Sequence, residues 1–170
     1  MDFFIYFALF ALHFALCYNN SMKILAKNRK AYFNYEILEK IEAGISLIGQ
    51  EVKSVKNGQI NLSSSVAVID NKMEAFLLNA NIPPFQPLNV KNYDPERPRK
   101  LILKKLEIKK LFGRTKEKGL TLIPLMVYTK NNLVKIEIGL GKIKKKFDKR
   151  ETIKKRDFDR EKRSIKYENI

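Results

Sequence analysis

The segment LTLIPLMVYTKNNLVKIEI at residues 120–138 is rich in the aliphatic and β-branched residues that favour strands. Two apolar runs, residues 120–128 and 133–138, flank the polar sequence KNN at residues 130–132. Apolar runs joined by a short polar turn predict a β-hairpin. Pro124 lacks an amide hydrogen, so its place inside the first run predicts either a sheet edge or a bulge.

The segments before this hairpin point to the same fold class. Residues 66–78 contain two further apolar runs around a polar turn and predict a second hairpin, and alternation at residues 33–39 predicts a half-buried strand. Helical spacing of apolar residues appears at 48–55 and again at 106–112. The proline-rich stretch 83–98 predicts a long irregular loop. We expect a mainly β fold with short helices, arranged as an OB-like antiparallel β-barrel.

Composition divides the chain into three parts: a hydrophobic extension at residues 1–21, a barrel domain at 22–141 and a cationic tail at 142–170. The barrel domain carries 21 basic and 11 acidic side chains, whereas the tail carries 13 basic and 6 acidic ones in 29 positions. A short segment with so many charges and so few apolar residues is expected to be disordered by itself, or to become helical on a polyanionic surface.

The hydrophobic extension at residues 1–21 can be interpreted in more than one way. It contains no Lys or Arg, so it lacks the cationic start of a secretory signal, and its apolar run from Phe3 to Tyr18 is slightly short for a membrane anchor. We expect Met22 to be the true start of the protein, with residues 1–21 the product of a wrongly assigned start codon. A genuine hydrophobic anchor is the alternative.

Charge and residue types restrict the function. The chain has 34 Lys and Arg against 18 Asp and Glu, a net charge of +16 that predicts a polyanionic partner. The one His and the one Cys, His13 and Cys17, both precede Met22. Zinc fingers, disulfide scaffolds and Cys or His catalysis are therefore excluded from residue 22 onward. Nothing places a base near the serines at 63–65, so we expect no enzyme, no cofactor and no metal ion.

Four motifs occur in a fixed order: GQEVKS at 49–54, DPERPRKL at 94–101, KEKGLT at 116–121 and FDKR at 147–150. With these motifs, residues 22–160 resemble the SsrA-binding protein (small protein B) family of bacterial trans-translation. The resemblance implies an OB-type barrel that binds the tRNA-like domain of transfer-messenger RNA. It also implies delivery of that RNA to the A site of stalled ribosomes, in the cytoplasm and alongside an elongation factor.

The resemblance also implies particular RNA contacts. The family's RNA-contacting glutamate corresponds to Glu42, whose carboxylate would accept hydrogen bonds from base amino groups or ribose hydroxyls. Two further contacts correspond to Ile102 and Lys104, where relatives commonly carry leucine and a polar Asn or His. Lys104 departs from that pattern and is expected to contact phosphate. Glu51 is expected to order its helix instead of binding RNA.

Basic residues near the predicted strands are further candidates, because Lys and Arg bind phosphate without reading sequence. These candidates are Lys27, Arg29, Lys30, Arg97, Arg99 and Lys100.

The tail is expected to bind the ribosome. By resemblance it lies in the empty messenger channel of the small subunit, next to the decoding site, and senses that no message is present. Phe147 occupies a position that stacks on a ribosomal base in the family, and Ile143 replaces a glycine. The candidate tail contacts are Lys142, Lys144, Lys145, Phe147, Asp148, Lys149, Arg150, Lys154, Lys155 and Arg156.

Two other functions share these features. A generic single-strand RNA-binding OB protein or ribosome-associated protein would have the same barrel and charge, but would bind many RNAs with steep salt dependence. A membrane-surface protein would use residues 3–18 as an anchor and the basic tail against anionic lipid. Membrane binding therefore requires that residues 1–21 be retained.

Overall fold

The computed structural model describes residues 22–86, 93–117 and 119–145, together with Arg150 and Phe158. The N-terminal extension at residues 1–21 lies outside these ranges, as does most of the tail. The expectations for those two segments therefore stay predictions.

The described residues form seven strands and three helices. In chain order they are β1 Lys23–Lys27, α1 Arg29–Asn34, β2 Tyr35–Ile45, α2 Gly49–Lys56, β3 Val66–Ile69, β4 Ala75–Leu78, β5 Arg99–Ile102, α3 Lys105–Thr115, β6 Leu120–Lys130 and β7 Leu133–Ile143. This composition confirms the predicted mainly β class with short helices.

Strand pairing closes the sheet into a barrel, and every pair is antiparallel. Neighbouring strands follow the order β6, β3, β4, β5, β2 and β7, and β7 pairs back to β6. Among the described strands, β1 pairs with β6 alone, along the part of the β6 edge that β3 leaves free. The predicted antiparallel barrel is therefore confirmed.

Both predicted hairpins are present, as β3–β4 and β6–β7. Asn131 and Asn132 turn the second hairpin with φ angles of 52° and 61°, a left-handed conformation that asparagine tolerates. The register of β6 shifts between Pro124 and Met126, so the predicted bulge is confirmed. Strand β6 is paired on both sides, with β7 on one side and with β3 and β1 on the other. On that second side, β3 pairs at Leu122 and β1 pairs from Met126 onward, so Pro124 lies in the gap between them and a local sheet edge at Pro124 is also present.

The start of the domain differs from the sequence prediction. The strand expected at residues 33–39 begins at Tyr35 and runs to Ile45, and a short helix, α1, precedes it. Asn28 explains the helix, since its side-chain oxygen accepts a hydrogen bond from the Ala31 amide at 3.0 Å and caps the first turn. Its side-chain nitrogen donates to carbonyls of distant segments, which local sequence patterns do not reveal.

The barrel interior holds the main hydrophobic core, built from strand residues such as Leu77, Leu101 and Ile136. Val55 of α2 and Leu111 of α3 belong to the same core, so both helices pack against the barrel. The helices predicted at 48–55 and 106–112 thus correspond to α2 and α3, with ends displaced by one to three residues.

Gly139 in β7 lets neighbouring apolar side chains pack directly against its backbone. A Cβ atom there would lie 2.9 Å from Leu125 Cδ1 and 3.1 Å from Ile37 Cγ2. We expect Gly139→Ala to lower the free energy of unfolding by about 1–3 kcal/mol, measured by urea denaturation. Gly113→Ala is the control, because Gly113 is an exposed position of helix α3 where a Cβ meets nothing within 4 Å. In this variant the free energy of unfolding should rise by about 0.5–1 kcal/mol. Equal effects of the two substitutions would contradict tight packing at Gly139.

Candidate nucleic-acid interface

An open cleft of about 540 Å³ lies where β2, β5, β7 and the start of α3 meet. Its lining residues are Lys40, Ile41, Glu42, Gly44, Ile102, Leu103, Lys104, Glu107 and Lys135. Glu42, Ile102 and Lys104, which the sequence places up to 62 positions apart, therefore share one cleft.

The pairing of β2 with β5 creates this cleft. The two strands pair only at Gly44–Ile102 and Ile45–Leu101, so they diverge beyond that point. Gly44 lets Ile102 approach closely, since a Cβ at Gly44 would lie 3.1 Å from the Ile102 Cβ. Ile102 is 63% exposed, which leaves its apolar side chain free to contact a ligand.

Glu42 lies on β2 opposite Glu137 of β7, and the three strands β6, β7 and β2 form its surroundings. Its Oε2 accepts a hydrogen bond from the Tyr128 hydroxyl at 2.5 Å. The Nζ atoms of Lys130 and Lys135 lie 3.5 Å from Oε2 and 3.6 Å from Oε1. The Glu42 side chain is 39% exposed, so it remains accessible from the cleft.

The hydrogen bond between Tyr128 and Glu42 affects both groups. It is the main cause that holds the pKa of Glu42 below its ordinary value, and the neighbouring lysines act in the same direction. Burial, together with the Glu42 charge, raises the pKa of the Tyr128 hydroxyl far above its ordinary value. At neutral pH Glu42 is therefore an ionised acceptor and Tyr128 a protonated donor.

Lys104 lies at the rim of the cleft, immediately before α3. Its backbone amide donates to Glu107 Oε2 at 2.8 Å, which fixes the start of the helix, and its side chain is exposed. An ion pair of 2.5 Å between Lys110 and Glu39 connects α3 to β2 on the surface. The Lys104 side chain is thus placed where it can reach phosphate.

A second basic region surrounds α1. Lys27, Arg29 and Lys30 are exposed there, and Lys27 Nζ lies 5.1 Å from the centroid of the Tyr32 ring. Lys144, at the start of the tail, donates from Nζ to the Tyr32 carbonyl at 3.2 Å. Basic residues from both ends of the described chain therefore meet at one surface.

The structure corrects one candidate phosphate contact. Arg99 is completely buried, with its guanidinium bound to Glu51 and to the carbonyls of Ala80 and Pro95, so it has a structural role and cannot reach phosphate. Arg97 also forms an ion pair with Glu51, but its side chain is one-third exposed.

Other candidates lie at the surface or outside the described residues. Lys100 is exposed and forms an ion pair with Glu74. Lys142 and Lys145 are exposed at the end of β7 and just beyond it, and Arg150 is exposed as well. The remaining tail candidates lie outside the described residues: Phe147, Asp148, Lys149, Lys154, Lys155 and Arg156.

Sequence reasoning missed three residues around Glu42, namely Tyr128, Lys130 and Lys135. A partial signal existed for Lys135, because apolar alternation in residues 133–138 places it on the outer face of β7. The register that brings β6 and β7 beside β2 is a long-range property of the barrel, so the contacts with Glu42 were not predictable from spacing.

The described part of the chain contains no cluster of three or more His, Cys, Asp or Glu side chains that could hold a metal ion. It also contains no helix long and apolar enough to cross a membrane.

An exposed apolar residue, an ionised acceptor and several lysines in one cleft of a small β-barrel define a nucleic-acid-binding protein of the OB type. The family model described as SmpB protein matches residues 25–168. The chain belongs to the SmpB protein family.

Individual relatives agree with this assignment. The SsrA-binding protein of Carboxydothermus hydrogenoformans is 56% identical over 139 residues, which cover 82% of this chain and 93% of the relative. The SsrA-binding protein of Magnetococcus marinus is 50% identical over 85% of this chain and 96% of its own length. A chain from the solved structure "tmRNA-SmpB: a journey to the center of the bacterial ribosome" matches with a TM-score of 0.60 and 42% identity, over 71% of this chain and 85% of that one.

Proposed function

We propose that this protein binds the tRNA-like domain of transfer-messenger RNA and delivers it to the A site of stalled ribosomes. Membership of the SmpB family, with relatives named SsrA-binding proteins, supports this function. The protein acts in the cytoplasm as a binding factor alongside an elongation factor, and the chemistry of peptidyl transfer belongs to the ribosome. Its C-terminal tail senses the empty messenger channel.

The observation that carries the RNA-binding part is the presence of Glu42, Ile102 and Lys104 in one cleft. Lysines supply phosphate affinity, which depends on charge and not on the identity of the RNA. An ionised carboxylate among them repels phosphate but accepts hydrogen bonds from ribose hydroxyls and base amino groups. Ile102 adds apolar contact with a base or ribose. Together these groups favour one RNA shape over an arbitrary polyanion.

Replacing Glu42 by alanine tests this site. We expect the dissociation constant for the tRNA-like domain to rise about tenfold or more, because a charge-assisted hydrogen bond is lost. Affinity for a random RNA of equal length should stay the same or increase, since the variant gains one unit of positive charge. Fluorescence anisotropy titrations at a single near-physiological salt concentration measure both constants.

Glu117→Ala is the matched control, because it removes an exposed carboxylate that pairs with Arg114 outside the cleft. It should leave the preference between the two RNAs unchanged. A uniform loss of affinity in Glu42→Ala, or no loss, would show that Glu42 does not read the RNA.

Generic RNA binding is the second candidate function, and binding by the unaltered protein distinguishes it from the proposed one. If the proposed function is right, the unaltered protein should bind the tRNA-like domain more tightly than an ordinary tRNA or a random RNA at the same salt concentration. Equal affinity for the three RNAs would mean that charge alone drives binding. The proposed delivery function would then fail at its first step.

A further inference from the structure

The hydroxyl of Tyr128 reaches Glu42 from two strands away. Tyr128 lies on β6 opposite Lys135 of β7, and Lys135 in turn lies opposite Gly44 of β2. The tyrosine is only 4% exposed, so its ring is held in the barrel wall while its hydroxyl meets Glu42 Oε2 at 2.5 Å. A serine or threonine hydroxyl at this position is too short to span β7, and phenylalanine lacks the donor.

The two oxygens of Glu42 have different surroundings. Oε2 accepts from Tyr128, with Lys130 at 3.5 Å. Oε1 faces the Nζ atom of Lys135 at 3.6 Å, which is longer than a hydrogen bond. One oxygen is thus held by the protein, and the other keeps its capacity to accept a hydrogen bond from a ligand.

We infer that Tyr128 is a positioning residue for RNA discrimination: it fixes the Glu42 carboxylate so that Oε1 is presented to a donor of the bound RNA. This inference rests on the proposed function, since it assigns the orientation of the group that reads the RNA. The donor is a single hydroxyl or amino group. A guanine edge that donates two parallel hydrogen bonds would need a place on Oε2, where the Tyr128 hydroxyl and Lys130 Nζ already donate.

The lysines cannot provide this orientation. Lys130 and Lys135 are 43% and 28% exposed, carry long flexible side chains and approach the carboxylate only at 3.5 and 3.6 Å. Exposed ion pairs of this kind tolerate many geometries and weaken with salt. A buried phenol allows one direction for its hydrogen bond, and that bond persists at high salt. Orientation therefore depends on Tyr128, whereas the lysines mainly attract the RNA.

The variant Tyr128→Phe tests this inference, because it keeps the ring and removes only the hydrogen-bond donor. We expect the preference for the tRNA-like domain over random RNA to fall about three- to tenfold, with affinity for random RNA unchanged. In a protein that already carries Glu42→Ala, Tyr128→Phe should have no further effect on this preference. Tyr35→Phe, at the first position of β2, is the matched control and should leave the preference unchanged.

A second readout needs no RNA. Carbon-13 NMR of the Glu42 carboxyl in the free protein should give a higher pKa in Tyr128→Phe than in the unaltered protein, because the hydrogen bond that most lowers this pKa is gone. Tyr35→Phe should not change it. A purely structural role of Tyr128 in barrel packing would leave the Glu42 titration in place.

The outcomes separate this inference from the proposed function. If Glu42→Ala loses RNA preference but Tyr128→Phe does not, the positioning role is overturned while the RNA site stands. If Tyr128→Phe lowers the preference equally with and without Glu42, the tyrosine acts independently of the carboxylate, and the inference is again overturned. If the unaltered protein has no preference among RNAs, both the site and the positioning role fail.

Discussion

Replacing Glu51 by alanine is expected to lower the free energy of unfolding by about 3–5 kcal/mol. Glu51 is fully buried at the start of α2, and its oxygens accept hydrogen bonds from Arg97 and from Arg99. Arg99 is fully buried as well. Without the carboxylate, the Arg99 charge stays in the interior with only neutral acceptors, which are carbonyl oxygens and the Tyr93 hydroxyl. An uncompensated buried charge is among the costliest defects in a protein.

Glu74→Ala is the control for this prediction. Glu74 also pairs with a cation, Lys100, but both side chains are exposed, at 40% and 52%. Its loss should change the free energy of unfolding by less than about 1 kcal/mol. Urea denaturation of both variants, followed by circular dichroism, measures the difference. Similar values for Glu51→Ala and Glu74→Ala would show that the buried pair contributes no more than a surface pair.

The Glu51 carboxylate also makes the stability of the protein depend on pH. Burial raises the pKa of Glu51, but hydrogen bonds from Arg97 and the Ile48 amide and the charge of Arg99 outweigh it, so the pKa lies below its ordinary value of 4.5. The folded protein therefore takes up this proton only at lower pH than the unfolded chain does. The stabilisation is present above pH 4.5 and is lost as the pH falls through the folded-state value.

Stability measured between pH 7 and pH 3 checks this dependence. The unaltered protein should lose more stability on acidification than Glu51→Ala, because the variant has no carboxylate to protonate at this position. Parallel curves for the two proteins would mean that Glu51 has the same pKa folded and unfolded.

Removal of residues 148–170 is expected to abolish tagging of stalled chains while leaving affinity for the tRNA-like domain within about threefold. The deleted segment carries nine basic and six acidic side chains, so it contributes only +3 to the net charge of +16. The lining residues of the cleft with Glu42 and Ile102 all belong to the barrel domain at residues 22–141. RNA binding and messenger-channel sensing should therefore separate between the two parts of the chain.

A tagging reaction with purified stalled ribosomes, paired with RNA titrations, measures both properties. A variant that keeps the composition of residues 148–170 but shuffles their order is the matched control, and it should also fail to tag if the FDKR motif acts through specific contacts. Tagging by the shuffled variant would mean that the tail acts only through its positive charge and not through specific contacts. Equal loss of RNA affinity and tagging after the deletion would refute the division into two parts.

Local patterns were sufficient for most elements of the barrel, although the short strands β1 and β5 were not predicted. The β6–β7 hairpin, the β3–β4 hairpin and helices α2 and α3 follow from apolar spacing and turn residues within about 20 positions. Helix α1 was missed because six residues carry little periodicity and because its cap, Asn28, depends on carbonyls of Leu62 and Pro124.

The candidate site was predictable only in part. Glu42, Ile102 and Lys104 came from resemblance to a family, and the structure places them in one cleft. The contact between Tyr128 and Glu42 joins residues 86 positions apart. Arg99 was expected at the surface because arginine usually is, and its burial depends on Glu51, 48 positions away. Both pairings are set by barrel closure, which no local pattern encodes.

Closure of the barrel also determines when the protein can fold during its own synthesis. Strand β7 is the last strand of the described residues, yet it pairs along its length with β2, where Tyr35 meets Ile143. A nascent chain that ends before residue 133 lacks β7 and leaves edges of β2 and β6 unpaired. We propose that this protein acts on ribosomes stalled on truncated messages. If its own message were truncated before the codons of β7, the product would be inactive and exposed to proteases. Each active molecule therefore comes from a message that was translated through β7.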